Sequence, residues 1–121
     1  MGKELYNRNL IKKIIKKDDY YIVDYINNDY YIGYIKNNLK HGKGILNKYK
    51  KYVYQGEFLN NKKNGKGDIT YSNGCKWCGI WKNDKKNGFG MYTNHVNNEM
   101  ITIFGIWKDD ILQDDEVDLT I

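Results

Sequence analysis

Glycine constrains this chain more than any other residue. Gly33, Gly56 and Gly79 recur with a period of 23, and nine residues after each comes a Gly-x-Gly: Gly42/Gly44, Gly65/Gly67 and Gly88/Gly90. Each leading glycine sits inside an aromatic-x-Gly-x-apolar unit: Tyr31-Ile32-Gly33-Tyr34-Ile35, Tyr54-Gln55-Gly56-Glu57-Phe58 and Trp77-Cys78-Gly79-Ile80-Trp81. Two glycine registers locked to one period, in the range of about 20 to 50 residues, require a repeated supersecondary unit.

The unit is legible physically. Alternate residues of a strand share a face, so Tyr54, Gly56 and Phe58 lie on one side and Gln55 and Glu57 on the other. Glycine between two large side chains leaves room for rings to lean across it. After a short turn the Gly-x-Gly opens a second strand, making each period a hairpin. Hairpins laid side by side give an all-β domain: a single meandering, twisted antiparallel sheet of about eight strands with an aromatic stripe.

These motifs resemble MORN repeats (membrane occupation and recognition nexus), which run as Tyr-x-Gly-x-Trp, a loop, Gly-x-Gly and a second strand. On that resemblance the repeats occupy residues 31–53, 54–76 and 77–102. A fourth copy, residues 103–121, begins with Ile103-Phe104-Gly105-Ile106-Trp107. Its glycine comes 26 residues after Gly79, so the loop around residues 95–99 carries three extra residues. Asp114 and Glu116 stand in place of its Gly-x-Gly, as suits a capping repeat. Residues 19–30 read as a degenerate half repeat, with Ile22, Val23 and Tyr25 placed one period before Ile45, Leu46 and Lys48. At the far end Val117, Leu119 and Ile121 alternate as a strand should.

Residues 1–18 form a basic amphipathic cap. Tyr6, Leu10, Ile11, Ile14 and Ile15 follow a helical spacing, with Lys12, Lys13, Lys16 and Lys17 opposite. A short helix covering the first sheet edge is one expectation; a membrane-surface helix is another. The third is that residues 10–15 are the worn first strand of a further repeat.

Charge is the remaining signal. The 121 residues carry a net charge of +5, almost all from lysine. Loops 37–41, 60–64 and 83–87 occupy equivalent places and carry Lys40, Lys63 and Lys86 in register, with Lys43 and Lys66 just beyond. They form a basic edge, while Asp109, Asp110, Asp114, Asp115, Glu116 and Asp118 make the tail acidic. No run of about 18 apolar residues is present, so no membrane-spanning helix is expected.

Catalytic and metal motifs do not assemble. Cys75 and Cys78 have C-x-x-C spacing, but on a strand they point to opposite faces, so they read as free thiols in a reducing compartment. The Gly-Lys-Gly segments lack the Lys-Ser/Thr and following helix of a phosphate loop. Neither His41 nor His95 stands in a constellation that makes it a base. No enzyme activity, cofactor or metal is expected.

What the resemblance implies is a non-catalytic scaffold that binds another protein through an aromatic groove. The groove residues are Tyr31, Tyr54, Phe58, Trp77, Trp81 and Trp107, with Tyr71 and Tyr92 from the second strands; any of them can equally be core. The alternative is an anionic phospholipid adaptor using Lys40, Lys43, Lys63, Lys66 and Lys86. Nucleic acid is disfavoured, because Arg8 is the sole arginine. The opposed charges and open strand edges also suit a weak, salt-sensitive homodimer. The expected location is intracellular, in the cytoplasm or peripheral to a membrane.

Overall fold

The computed structural model describes residues 10–113. They form strands β1 (Ile11–Lys16), β2 (Tyr21–Tyr25), β3 (Tyr30–Lys36), β4 (Leu39–Lys48), β5 (Tyr52–Leu59), β6 (Lys62–Tyr71), β7 (Lys76–Lys82), β8 (Lys85–Val96), β9 (Glu99–Lys108) and β10 (Ile111–Leu112). All ten belong to one sheet whose spatial order is the sequence order. Every neighbouring pair is antiparallel, and the sheet stays open at β1 and β10. The two strands beyond the expected eight include β1 and β10, one at each end.

Tight turns set this meander. Asn37/Asn38, Asn60/Asn61, Asn83/Asp84, Asn97/Asn98 and Asp109/Asp110 all have positive φ at both positions. Such pairs match the right-handed twist of the flanking strands, and Asn and Asp tolerate the left-handed region better than other side chains. The three extra residues of the third repeat are absorbed by lengthening β8 and β9, which pair as far as Val96 and Glu99. The segment expected to be a loop around His95 is therefore largely a hairpin extension.

Register brings the glycines together. Gly33 pairs with Gly44, Gly44 with Gly56, Gly56 with Gly67, Gly67 with Gly79, Gly79 with Gly90 and Gly90 with Gly105. An unbroken glycine column thus crosses β3 to β9, and the ring of Tyr31, Tyr54 or Trp77 lies over each hairpin's pair. The other glycine of each Gly-x-Gly has a different task. Gly42, Gly65 and Gly88 take φ of 73°, 101° and 134° beside a bulge that recurs in each hairpin. One glycine makes the bulge and the next makes the space.

At the N-terminus, the helical reading of residues 4–17 does not hold over the part described. Ile11–Lys16 is a strand paired with β2. A bulge between Ile11 and Lys13 puts Ile11 opposite Tyr25 and Ile14 opposite Val23, so two isoleucines three apart share one strand face. That spacing imitates a helix. The remainder of the cap, residues 1–9, and the strand expected at residues 117–121 lie outside the described residues. β2 pairs with β3 in the register of the later second strands, Val23 against Tyr31 as Leu46 lies against Tyr54.

The glycine column carries a direct test. A β-carbon on Gly56 would come within 2.5 Å of the Lys66 carbonyl oxygen and also meet the Gly67 Cα, both backbone atoms that cannot swing aside. Gly56→Ala is expected to cost about 3 kcal/mol in urea unfolding, while Gln55→Ala on the opposite face stays within about 0.5 kcal/mol. Equal midpoints for the two variants would contradict the register.

Candidate functional site

The aromatic stripe assembles into one chain of rings. Tyr31, Phe58, Tyr54, Trp81, Trp77 and Trp107 meet in that order, edge to face, with centroids 5.5, 5.1, 5.4, 5.2 and 5.3 Å apart. All six are buried. Each ring presents its positive edge to its neighbour's negative face, a geometry worth about 0.5 to 1.5 kcal/mol per pair beyond the area covered.

Polar ends are anchored as well. Tyr31 Oη donates to the Tyr34 carbonyl at 2.7 Å, Tyr54 Oη to the Glu57 carbonyl at 2.8 Å and Trp81 Nε1 to the Gly67 carbonyl at 3.0 Å. Trp77 Nε1 is buried with no acceptor among the described residues, the consequence of an indole where the other repeats place a phenol. Burial raises the Tyr31 and Tyr54 hydroxyls above the usual tyrosine range, and raises Tyr25 to about 12. Tyr71 and Tyr92 remain half-buried against the ring chain.

The lysines divide between the two faces. Lys40, Lys63 and Lys86 pair across the strands with Ile35, Phe58 and Trp81, so they share the aromatic face. Lys40 Nζ lies 5.5 Å from the centroid of Tyr31, and Lys86 Nζ 5.4 and 5.5 Å from those of Tyr71 and Trp77. Lys63 Nζ is held by three rings, Tyr52 at 4.9 Å, Tyr54 at 5.6 Å and Trp81 at 5.5 Å, and also donates to Tyr52 Oη at 3.3 Å. Burial pulls the Lys40 ammonium down to about 8, and pulls Lys63 down with Asp84 opposing. Lys43 and Lys66, opposite Glu57 and Ile80, point away from the rings. The five lysines expected on one edge are thus not one surface.

A ladder of turn residues escaped the reading of the sequence. Asn61, Asp84 and Asp110 each accept, through Oδ1, the backbone N–H of Lys40, Lys63 or Lys86 in the hairpin before, at 2.8 to 2.9 Å. Each returns its own N–H to the same lysine's carbonyl at 3.0 Å. This reciprocal pair fastens hairpin to hairpin and fixes where the lysine stems begin. Its signal is in the sequence, since Asn38, Asn61, Asp84 and Asp110 share the second turn position. The cysteines lie on opposite faces, Cys75 receiving the Tyr92 hydroxyl at 3.3 Å and Cys78 beside Asp68, whose charge and hydrogen bond add to burial in raising that thiol.

Comparison with known proteins agrees with this geometry. The family model described as MORN repeat matches residues 31–47, 54–76 and 77–95, the three hairpins that carry the lysine row and every ring of the chain except Trp107. No curated protein matches the chain.

Lys40 offers a test by pH. Its folded-state value of about 8 lies below the ordinary 10.5, so unfolding takes up a proton between those limits and stability rises with pH from about 8. Above about 10 the buried tyrosines reverse the trend, because an unfolded phenol ionises where a buried one does not. Lys40→Met is expected to be at least as stable as the parent at pH 7 and to lose part of the rise towards pH 10, with Lys63 supplying the rest. Urea midpoints across this range measure it; an unchanged slope would contradict the burial of Lys40.

Proposed function

Because the chain belongs to the MORN-repeat family, whose arrays serve in general as interaction modules for proteins or membranes, we infer that it is a non-catalytic module that binds another protein over its aromatic face. The observation that carries this reading is the in-register row of Lys40, Lys63 and Lys86 on the faces of the ring chain. Three cations in a fixed row, flanked by the half-buried Tyr52, Tyr71 and Tyr92, suit an extended partner segment that carries acidic side chains and some apolar ones. Pre-ordered lysine stems lose little side-chain entropy on binding.

Roles on this face differ. Tyr31, Tyr54, Phe58, Trp77, Trp81 and Trp107 act as the rigid bed that positions the cations, whereas Tyr71, Tyr92 and the lysines make the contact. Anionic phospholipid is the second reading, since the same row suits its headgroups. Lys43 and Lys66 face the other way, so a flat membrane surface engages three of the five lysines at once, which favours protein. The described residues contain no helix long and apolar enough to cross a membrane. We place the module inside the cell, in keeping with the two free thiols.

Trp81→Ala is a poor probe of binding here, because it removes a buried ring and an indole hydrogen bond together; it is expected to cost about 3 to 5 kcal/mol of stability. Lys86→Glu and Tyr71→Ala keep the bed. In capture from the native cell each is expected to weaken retention of the partner by about tenfold or more with little change in melting temperature. Flotation with neutral and acidic liposomes separates the lipid arm. Retention indifferent to both substitutions would contradict the aromatic face as the contact.

A further inference from the structure

The face opposite the rings changes character along the array. At equivalent places in successive hairpins it carries Lys43, Lys66 and then Phe89; Tyr34, Glu57, Ile80 and then Ile106; Ile45, Asp68 and then Met91, so it is mixed in the first hairpin, charged in the second and apolar from there on. Phe89 pairs with Ile106 and Met91 with Phe104 across β8 and β9. The two phenylalanines stack, centroids 6.4 Å apart at 28°, yet are 57% and 64% exposed. Ile80, Ile106 and Ile111 lie exposed around them.

We propose that this patch is an interface between two copies of the chain, stacked back to back over β8 and β9. Layering is the first reason. Among the described residues, one face of the sheet is closed by its own rings and the apolar region on the other has no second layer; a second sheet at about 10 Å supplies one. Area is the next. The exposed parts of the five residues, Ile80, Phe89, Phe104, Ile106 and Ile111, amount to about 500 Å², at the upper end for a monomer's patch. With its polar rim the region approaches the roughly 800 Å² per partner that a specific dimer buries, which sets a weak rather than an obligate pair.

Symmetry favours a second copy over another occupant. The antiparallel ladder has a local dyad at the Gly90–Gly105 pair, which relates Phe89 to Phe104 and Met91 to Ile106. Rings therefore fall on rings for a copy arriving in either direction, and a contact about a twofold axis closes at two. On this face of β7 to β9 stand the exposed Lys76, Lys82, Lys85 and Lys108, with Asp68 of β6 on the near side, so the patch is rimmed mainly by like charges. Two copies meeting here repel through these lysines at low salt, which keeps the pair weak and lets added salt favour it. The contact is hydrophobic, unlike a charge-led pairing of the array's ends, and leaves the aromatic face free for its own partner.

Sedimentation of the full chain over a concentration series, at low and high salt, tests this. A reversible dimer is expected that high salt does not weaken. Phe104→Glu and, independently, Ile106→Lys are each expected to move its midpoint at least about tenfold to higher concentration, with tryptophan near-ultraviolet dichroism unchanged. Lys86→Glu, on the opposite face, should leave it in place. A chain that stays monomeric up to millimolar concentration overturns the proposal, even if the patch captures some other protein. A dimer that both variants leave intact, or that salt dissociates, overturns it as well.

Discussion

A ring laid over a pair of facing glycines is the contact on which this sheet depends. A single layer has no second element to bury its face, so the core must be built from side chains of that face alone. Large rings can do this only if they lie down, and lying down brings them to the backbone of the neighbouring strand. The glycine column from Gly33 to Gly105 makes the approach possible. It also costs backbone entropy, about 0.5 to 1 kcal/mol for each strand glycine, which the ring contacts must outweigh. The arrangement works because one ring covers two glycines and touches rings from the next hairpin, so a single side chain serves both the interior of a repeat and the joint between repeats.

The same economy governs the polar groups. Asn61, Asp84 and Asp110 shape their own turns with positive φ and at the same time hold the preceding hairpin's lysine backbone. The lysine stems then run over the rings, closing the top of the core, with Nζ held by aromatic faces. Burial opposes this, as the lowered Lys40 and Lys63 ammoniums record. Keeping cations there in spite of that opposition is what suits the face to the binding role proposed for it. On the opposite face the repeats differ from one another, mixed in the first hairpin, charged in the second and apolar over β8 and β9.

Much of this was legible because glycine spacing survives any detail of side-chain contact. Gly33, Gly56 and Gly79 with their Gly-x-Gly partners were enough to place three hairpins, their order and the ring stripe. What escaped lies at strand ends and beside one bulge. The bulge near Lys12 made Ile11 and Ile14 look helical. The turns are shorter than the expected loops 37–41, 60–64 and 83–87, so Lys40, Lys63 and Lys86 sit on strands, where alternation sets Lys40 and Lys63 on the face opposite Lys43 and Lys66. Burial of the stripe was illegible for another reason: a ring in a single-layer sheet is covered or bare according to its neighbours' rotamers, which residue types do not reveal. Phe89 and Phe104 drew no notice because each sits at a position that another repeat fills with a polar residue or isoleucine.

A double-mutant cycle between Gly67→Ala and Tyr54→Leu, followed by urea unfolding, tests the ring-over-glycine contact most directly. A β-carbon on Gly67 would run into the Tyr54 ring and hydroxyl, which Phe58 and Trp81 clamp in place. The account predicts that Gly67→Ala costs about 2 kcal/mol or more with Tyr54 present and little once leucine replaces it, a coupling well outside additivity. Equal costs in the two backgrounds would mean that the glycine is there for some purpose other than the ring, and would contradict the account at its centre.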